Sequence, residues 1–171
     1  ANHVVINEIE VSPSGDFTSL PSQWVELYNP TNTPINIGGW TIGATSGLKQ
    51  INHIPTGTMI QSQQFIVYHY VPLWLPTAGA VVQLKDSGGM IIDQTPSLTD
   101  QQGDGNTWQR IYDGYNTGSQ NDWIFKSGTP GFSNGKPQTI STATQLTLSI
   151  STDKQNYVFG DIVNINGQVS Q

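Results

Sequence analysis

The sequence predicts an all-β protein built as a sandwich or a barrel. Short segments in which apolar and polar residues alternate recur along the chain, and clusters of Gly, Pro, Asn and Asp separate them at nearly regular spacing. No window carries an apolar helical stripe with capping residues. Eight or nine short strands with turn signals between them are typical of a β-sandwich or barrel.

Composition supports this prediction and excludes several classes of function. The 171 residues include 18 Gly and 10 Pro, and only 11% are charged, which favours strands and turns over long helices. The formal charge of -6 and the scattered positions of the six Lys and Arg argue against nucleic-acid binding, which needs clustered cations. The absence of cysteine excludes disulfides and thiolate chemistry.

The first strands are the clearest. Residues 4–11 alternate and end in a turn cluster at 12–16, so they predict a strand and its exit. Residues 23–28 predict a second strand with Trp24, Glu26 and Tyr28 on one face. Residues 35–42 predict one extended run with a bulge or bend at the Gly38-Gly39 pair.

The same pattern continues to residue 125. A short hairpin connection is expected at residues 86–89, because Asp and Gly favour tight turns. Further strands are predicted at 50–54, 64–70, 80–85, 90–94, 107–112 and 122–125.

Composition changes after residue 135, which divides the chain. Residues 1–135 are predicted to form the first domain and 136–144 a polar linker. Residues 145–171 carry two alternating segments, at 145–151 and 162–169, and read as the truncated start of a second domain or a strand-pairing tail. Because isolated strand pairs are marginal in water, we expect these strands to pair with the first domain or a neighbouring chain.

Several spaced motifs resemble one known family, the prokaryotic type of lamin tail domain. The resemblance covers about residues 4–135, and the C-terminal stretch separately resembles an immunoglobulin-like repeat of prokaryotic surface proteins through Thr152-Asp153-Lys154, Tyr157 and Gly160-Asp161. The lamin-like motifs are Val5-Ile6-Asn7-Glu8-Ile9, Trp24-Val25-Glu26-Leu27-Tyr28-Asn29-Pro30, Gly38-Gly39-Trp40, Leu84-Lys85-Asp86, Thr107-Trp108-Gln109-Arg110 and Gly128-Thr129-Pro130-Gly131.

This resemblance implies an immunoglobulin-like β-sandwich, with a C-terminal strand-forming extension, that serves recognition or scaffolding and has no catalytic residues. In prokaryotes such domains are pieces of larger secreted or surface proteins, so an extracellular or cell-surface location is expected. No signal peptide is visible, and no apolar stretch is long enough to insert into a membrane.

Catalytic motifs are weak. Residues 131–135 match the Gly-x-Ser-x-Gly pattern of a nucleophile elbow, which requires a strand before it and a helix after it. Pro and Gly flank these residues instead, so a turn is the better interpretation. His3, His53 and His69 stand apart without ligand spacing. We therefore predict that the protein is not an enzyme.

A calcium site is the one metal site that the acidic residues suggest; no other cofactor is expected. Asp100, Asp104 and Asn106 could supply oxygen ligands from one loop, although a solvated turn is the alternative. Glu8 and Glu26 fall in two strands that would lie side by side, where they either share a cation or accept hydrogen bonds from loop backbone.

An apolar segment between two prolines is a candidate partner contact. Leu73, Trp74 and Leu75 either fold over the open end of the sandwich as a lid or bind a partner protein. The main functional hypothesis is therefore a binding, adhesion or scaffolding module of a larger surface protein. The alternative is a structural element that self-associates by exchange or edge pairing of its C-terminal strands.

Overall fold

A computed structural model describes residues 1–13, 22–47, 50–70, 74–137 and 147–170, with side chains described only for 150–167 in the last range. The chain forms two compact units, Ala1–Lys136 and Pro137–Gln171. The described ranges contain strands and one 3-10 helix, Gln120–Asp122, and no α-helix.

Eleven strands are described in the first unit and two in the second, numbered in chain order. They are β1 Val5–Glu10, β2 Gln23–Tyr28, β3 Ile35–Asn36, β4 Thr41–Ala44, β5 Ile51–His53, β6 Met59–Ile60, β7 Phe65–Tyr70, β8 Val82–Lys85, β9 Ile91–Gln94, β10 Asn106–Arg110, β11 Trp123–Ser127, β12 Thr147–Thr152 and β13 Ile165–Ser170.

The first sheet has the order β11-β10-β1-β2-β7, with every neighbouring pair antiparallel. The second sheet has the order β5-β4-β8-β9 and is also antiparallel. Side chains of both sheets form one buried apolar cluster, which includes Ile6, Val25 and Leu27 from the first sheet and Ile42 and Leu84 from the second. This confirms the predicted immunoglobulin-like sandwich.

The extended run predicted over residues 35–42 is in fact two strands. Gly39 has a φ of 80°, and the Trp40 amide donates to the Ile37 carbonyl, so the chain turns between β3 and β4. Gly38 allows this turn to pack closely, because a Cβ there would lie 2.5 Å from the Gly57 backbone nitrogen. β3 pairs with the two-residue strand β6, which the sequence pattern did not predict.

The hairpin between β8 and β9 forms where it was expected. The Gly89 amide donates to the Asp86 carbonyl, and the Asp86 carboxylate accepts from the amides of Gly88 and Met90. The Asp side chain and the following glycines therefore provide the turn that their positions predict.

The central strands β1 and β2 are buried on both faces over their whole length. One face contributes Ile6, Val25 and Leu27 to the core. The opposite face carries Glu26 between Trp24 and Tyr28, as the alternation predicted. A covering segment on this outer side is therefore required, and it is supplied by residues 128–135.

The C-terminal unit is an antiparallel hairpin of β12 and β13, in which Thr152 pairs with Ile165 and Ile150 with Gly167. This register places Ile150 and Ile165 on the same face, and both side chains are exposed. The connection is held by Asp153, which accepts from Tyr157 Oη and from the Asn164 amide. Predicted linker residues 138–144 lie outside the described ranges, and the second-domain interpretation stays a prediction.

Candidate functional site

A bulge in β1 brings two of the predicted site residues together. Ile6 pairs with Leu27, but the next pair is Glu8 with Glu26, so Asn7 is the extra residue. Glu8 and Glu26 are therefore direct cross-strand neighbours on the outer face of the first sheet, and both are fully buried. Residues 128–135, which we call the closing segment, lie over them.

Glu8 is surrounded by hydrogen-bond donors of the protein. Its Oε1 accepts from Thr107 Oγ1 at 2.6 Å and from the Thr129 amide at 2.8 Å. Its Oε2 lies 2.9 Å from Thr129 Oγ1. These contacts tie β1 to β10 and to the start of the closing segment.

Glu26 makes the matching contacts one strand away. Its Oε1 accepts from Asn7 Nδ2 at 3.0 Å, and its Oε2 accepts from the Gly131 amide at 2.7 Å. Asn134 Nδ2 in turn donates to the Asn7 carbonyl at 3.1 Å. Two alternatives were considered for Glu8 and Glu26, a shared cation or hydrogen bonds from loop backbone. The contacts with the Thr129 and Gly131 amides are of the second kind.

Burial changes the proton affinity of this acidic row. Desolvation, opposed by the hydrogen bonds from Asn7 and Gly131, raises the pKa of Glu26 to about 8. Desolvation also raises the pKa of Glu8, and it raises the pKa of Glu10 to about 7 with a contribution from the charges of Asp100 and Asp104. The outer face of the first sheet therefore contains carboxyls that hold protons at unusually high pH.

Glu10 is a site residue that the sequence analysis missed. It follows Glu8 at the next outward position of β1 and is only 4% exposed. Its Oε1 accepts from the Ser12 amide at 3.0 Å. The signal was available, because two glutamates separated by one residue in a strand point to the same side.

The predicted loop residues Asp100, Asp104 and Asn106 have different environments. Asp100 is 3% exposed, and its Oδ1 accepts from the Gln102 amide at 3.0 Å. Asp104 accepts from both the amide and the side chain of Asn106, at 3.0 and 2.7 Å, in a turn that leads into β10. Both donors of Asn106 therefore bond to the Asp104 carboxylate, a local pairing typical of a polar turn.

In the described part of the chain, no three His, Asp or Glu side chains are grouped so that they could together hold a metal ion. Glu8 and Glu26 lie together on the outer face of the first sheet, and the charges of Asp100 and Asp104 act on Glu10 rather than on Glu26. The prediction of calcium binding by all five residues stays a prediction.

A buried ion-pair cluster around Arg110 was also missed. Arg110 Nη2 lies 2.8 Å from Asp93 Oδ2, Nη1 lies 3.7 Å from Asp122, and the guanidinium stands 4.7 Å from the centroid of the Trp123 ring. Arg110 Nε also donates to the Ile6 carbonyl at 2.7 Å. Because Asp93 belongs to β9, this cluster joins the two sheets.

Asp122 in that cluster has a lowered pKa. Burial acts to raise it, but hydrogen bonds from Thr117 and Ser119 and the charge of Arg110 outweigh the burial. A lone Arg among strand residues gave no sequence signal, because its acidic partners lie 12 and 17 positions away.

The segment predicted to contact a partner is mostly a core element. Trp74 is 1% exposed and Leu75 is 5% exposed, and Trp74 packs edge-on against Tyr70. Gln23 Oε1 accepts from both of their amides at 2.7 Å. This burial leaves Trp74 and Leu75 without the exposed surface that partner binding requires and fits the lid alternative, while Leu73 lies outside the described residues.

The residues of the elbow-like motif form part of the closing segment. Ser133 Oγ donates to Asp113 Oδ2, and the Gly135 amide donates to Ser133 Oγ. The motif needs a strand directly before the serine and a helix directly after it. Here β11 ends at Ser127, and the described residues 128–137 contain neither a strand nor a helix. His69, meanwhile, lies 3.1 Å from Ser22 Oγ on the edge strand β7.

The outer face of the second sheet carries large apolar side chains in water. Ile51 is 60% exposed, Met90 is 68% exposed and Ile91 is 49% exposed. A depression of about 220 Å³ lies between Ile51 and Gln83, where Gly43 has no side chain to fill it.

Comparison with known proteins accounts for most of the chain. The family model of the lamin tail domain matches residues 1–161. The match extends beyond the first compact unit, which ends at Lys136, and it does not show a separate repeat after that unit. No individually curated protein matches the chain. Lamin tail domains are immunoglobulin-like domains used for protein interaction or scaffolding. No described helix is long and apolar enough to cross a membrane. The chain belongs to the lamin tail domain family.

Proposed function

We propose that this protein is a non-catalytic binding module, for adhesion or scaffolding, within a larger secreted or cell-surface protein. The observation that carries the proposal is the exposure of large apolar side chains at both edges of the second sheet, Ile51 on β5 at one edge and Ile91 on β9, with the preceding Met90, at the other. A solvated antiparallel sheet normally presents polar residues on that side. Large apolar side chains exposed to water at such positions favour a protein contact.

The pairing register shows what lies between the two apolar edges. Ile51, Gly43, Gln83 and Gln94 form one row across the four strands. Thr41 lies between His53 and Lys85 in the adjacent row. This surface therefore combines apolar anchors with uncharged hydrogen-bonding groups and few charges, a composition typical of the core of an interface.

The chemistry of the first sheet supports a role other than catalysis. Glu8 and Glu26 have the perturbed pKa values that often mark active sites, but both are fully buried and accept hydrogen bonds from the closing segment. A substrate would have to displace that segment to reach them. The secreted or surface location rests on the acidic balance of the chain and on its family resemblance.

The test compares two baits that carry the same substitution on different sheets. Ile51→Lys introduces a charge on the proposed contact face, and Ile124→Lys introduces it at another exposed position, on β11. We expect surface proteins captured by the natural chain to be lost with Ile51→Lys and retained with Ile124→Lys. Equal capture by both variants would contradict the proposal for this face.

A second candidate function is self-association through the C-terminal hairpin. Ile150 and Ile165 share one exposed face of β12–β13, and Val158, Phe159 and Ile162 are exposed in the connection. A two-stranded hairpin with uncovered apolar side chains is suited to pairing with another sheet.

Molar mass in solution distinguishes this candidate from the first. We expect the full chain to form a dimer or larger species, and the first unit alone, Ala1–Lys136, to be a monomer. Replacing Ile150 and Ile165 with Asp should also give a monomer, because charges would then occupy the pairing face. A monomeric full chain would sink the self-association function and leave the binding module intact.

A further inference from the structure

The Thr129 hydroxyl lies against three acceptor oxygens of other side chains. Its Oγ1 is 2.9 Å from Glu8 Oε2, 2.9 Å from Asn134 Oδ1 and 3.4 Å from Gln109 Oε1. A threonine hydroxyl has one proton to donate and two lone pairs that can accept. It can therefore donate to one of these oxygens, and one of the two at 2.9 Å has to bond to it in another way.

The orientation of the Asn134 amide is fixed by its other contacts. Asn134 Nδ2 donates to the Asn7 carbonyl at 3.1 Å and to the Arg110 carbonyl at 3.3 Å. Both contacts need the nitrogen, so the atom that faces Thr129 is the amide oxygen. Gln109 is fixed in the same way, since its Nε2 donates at 2.9 Å to the carbonyl at the end of β11. Neither amide oxygen can donate a proton to the hydroxyl.

Glu8 can donate to the hydroxyl if it is a neutral acid. In the ionised form, Glu8 Oε2 and Asn134 Oδ1 compete for the single Thr129 proton, and one of these two buried side chains keeps an oxygen without a donor. Such an oxygen is costly, because its lost contact with water is not replaced. A proton on Glu8 Oε2 removes the conflict, since Glu8 then donates to Thr129 and Thr129 donates to Asn134. Glu8 Oε1 still accepts from the Thr129 amide.

The charged groups around Glu8 are mostly acidic. Glu26 on β2 pairs directly with Glu8, Glu10 is the next outward residue of β1, and Asp113 acts on Glu26 from the loop after β10. Lys126 on β11 is the opposing charge, and its Nζ donates at 3.0 Å to a carbonyl of the closing segment. The closing segment has no titratable side chain, and the β10 side chains that contact Glu8 are uncharged. Burial raises the pKa of Glu8 against its hydrogen bonds and the Lys126 charge.

We propose that Glu8 is a neutral acid that holds the closing segment through one proton, in a hydrogen-bond chain from Glu8 to Thr129 to Asn134, and that losing this proton at alkaline pH releases the segment. The chain ends on Asn134, whose side chain joins the closing segment to both β1 and β10. An ionised Glu8 takes the Thr129 proton and leaves the Asn134 oxygen without a donor. The closing segment is therefore a latch over the outer face of the first sheet.

The direction of the pH effect follows from burial. Because the pKa of Glu8 in the folded chain lies above its ordinary value of 4.5, the folded chain keeps a proton that the unfolded chain loses as pH rises past that value. The contribution of the latch is complete below pH 4.5 and is lost as pH rises through the folded-state pKa. The latch lies on the first sheet, so it operates independently of the proposed contact surface on the second.

The first experiment observes the Glu8 proton directly in the full chain. Carbon-13 NMR of the glutamate side-chain carboxyls is recorded from pH 5 to 9, with the Glu8 signal assigned through its own backbone resonances. We expect Glu8 to have the chemical shift of a protonated carboxyl at pH 7, where ordinary glutamates are ionised. A Glu8 carboxyl that is already ionised at pH 7 would overturn the proposal.

The second experiment uses Glu8→Gln, because glutamine has the shape of the neutral acid and its Nε2 can donate to Thr129 at any pH. The readout is the hydrogen-exchange protection of the Thr129 and Asn134 amides relative to the amides of β2. In the natural chain this relative protection should fall by about tenfold or more as Glu8 loses its proton. The fall should persist in Glu26→Gln, the matched control one strand away, and be absent in Glu8→Gln. An equal fall in both variants, or none in the natural chain, would contradict the latch.

The third experiment breaks the middle of the chain. Thr129→Val keeps the side-chain shape but has no hydroxyl, so it should lower the protection of the Asn134 amide at every pH, whereas Thr129→Ser should keep it. Unchanged protection in Thr129→Val would overturn the proposal. If that variant fails to fold, the carboxyl titration of the natural chain and the Glu8→Gln comparison still decide. Failure of Glu8→Gln itself to fold would count against the proposal, because this variant keeps every hydrogen bond of the neutral acid.

Discussion

The two faces of β1 and β2 are equally buried but are covered by different means. On the inner face, Ile6, Val25 and Leu27 pack into the apolar cluster between the sheets. On the outer face, Glu8 and Glu26 accept directional hydrogen bonds from the closing segment. Apolar burial is non-directional and supplies most of the stability of a domain, whereas a hydrogen-bonded polar layer determines where a covering segment docks.

The inner side is not wholly apolar: Gln23 there accepts from the Trp74 and Leu75 amides, and Arg110 brings charge. On β10, Trp108 pairs with Ile9, which points into the core. Arg110 lies two residues further along β10 and so points to the same side. There the guanidinium bonds to Asp93 of the other sheet. A buried charge next to the apolar core is tolerated because its partners are also buried and paired.

The largest expected effect comes from removing the Arg110 charge. Arg110→Met keeps much of the side-chain volume but leaves Asp93 and Asp122 buried without their counter-charge. We expect a loss of about 3–5 kcal/mol in the free energy of unfolding, measured by denaturant titration. The double variant Arg110→Met with Asp93→Asn should recover part of the loss, and no recovery would show that the ion pair is not the cause.

Truncating an apolar side chain on the inner face should lower the free energy of unfolding more than a conservative substitution on the outer face. Leu27→Ala creates a cavity at a fully buried position and should cost about 2–5 kcal/mol. Glu26→Gln, at the next residue on the opposite face, loses one hydrogen bond because an amide nitrogen cannot accept from the Gly131 amide, and should cost about 1–3 kcal/mol. Chemical denaturation of both variants measures the difference, and equal losses would remove the distinction between the faces.

The outer face should also make stability fall as pH rises. Burial raises the pKa of Glu26 from 4.5 to about 8, so between these values the folded state holds a proton that the unfolded chain has lost. Stability from this group is complete below pH 4.5 and declines through pH 8, by up to about 1.4 kcal/mol per pH unit.

Glu10, with its pKa raised to about 7, adds a decline in the same direction between pH 4.5 and 7. Asp122 acts oppositely, since its lowered pKa removes stability at acid pH. The free energy of unfolding of Glu26→Gln, measured from pH 5 to 9, should therefore have a shallower slope than that of the natural chain. Identical slopes would mean that Glu26 does not titrate in this range.

The last expected effect is steric and similar in size to that of Glu26→Gln. A Cβ on Gly128 would lie 2.9 Å from Thr107 Cγ2 and 3.4 Å from Glu8 Oε1, so Gly128→Ala crowds the contact between the closing segment and β10. We expect a loss of about 1–3 kcal/mol, measured by thermal and chemical denaturation. Gly57→Ala is a useful comparison, because its Cβ would meet no neighbouring atom and any cost there comes from its positive φ of 81° alone.

Local alternation was enough to predict the fold class and most strands, because strands with one polar and one apolar face carry that pattern directly. It failed at residues 35–42, where the turn depends on how closely Gly38 packs against Gly57. It also failed for β6, whose two residues are too few to show a period.

The candidate site was only partly predictable for a related reason. The proximity of Glu8 and Glu26 followed from pairing neighbouring strands, although the bulge at Asn7 that sets their register gave no signal. Pairings across long sequence distances, such as Glu8 with Thr129 and Ile6 with Asp93, depend on the tertiary fold and leave no local pattern. The apolar composition of residues 70–76 left both a lid and a partner contact open, and the contacts of Trp74 and Leu75 with Gln23 favour burial.

Hydrogen exchange of two amides tests most directly the claim that the carboxylates of the outer face hold the closing segment in place. The Thr129 and Gly131 amides donate to Glu8 and Glu26, so both should exchange as slowly as the amides of β1 and β2 in the natural chain. In Glu26→Ala the Gly131 amide should exchange at least tenfold faster while the strand amides keep their protection. Rapid exchange of both amides in the natural chain would contradict the account, because the carboxylates would then face a segment that opens freely to water.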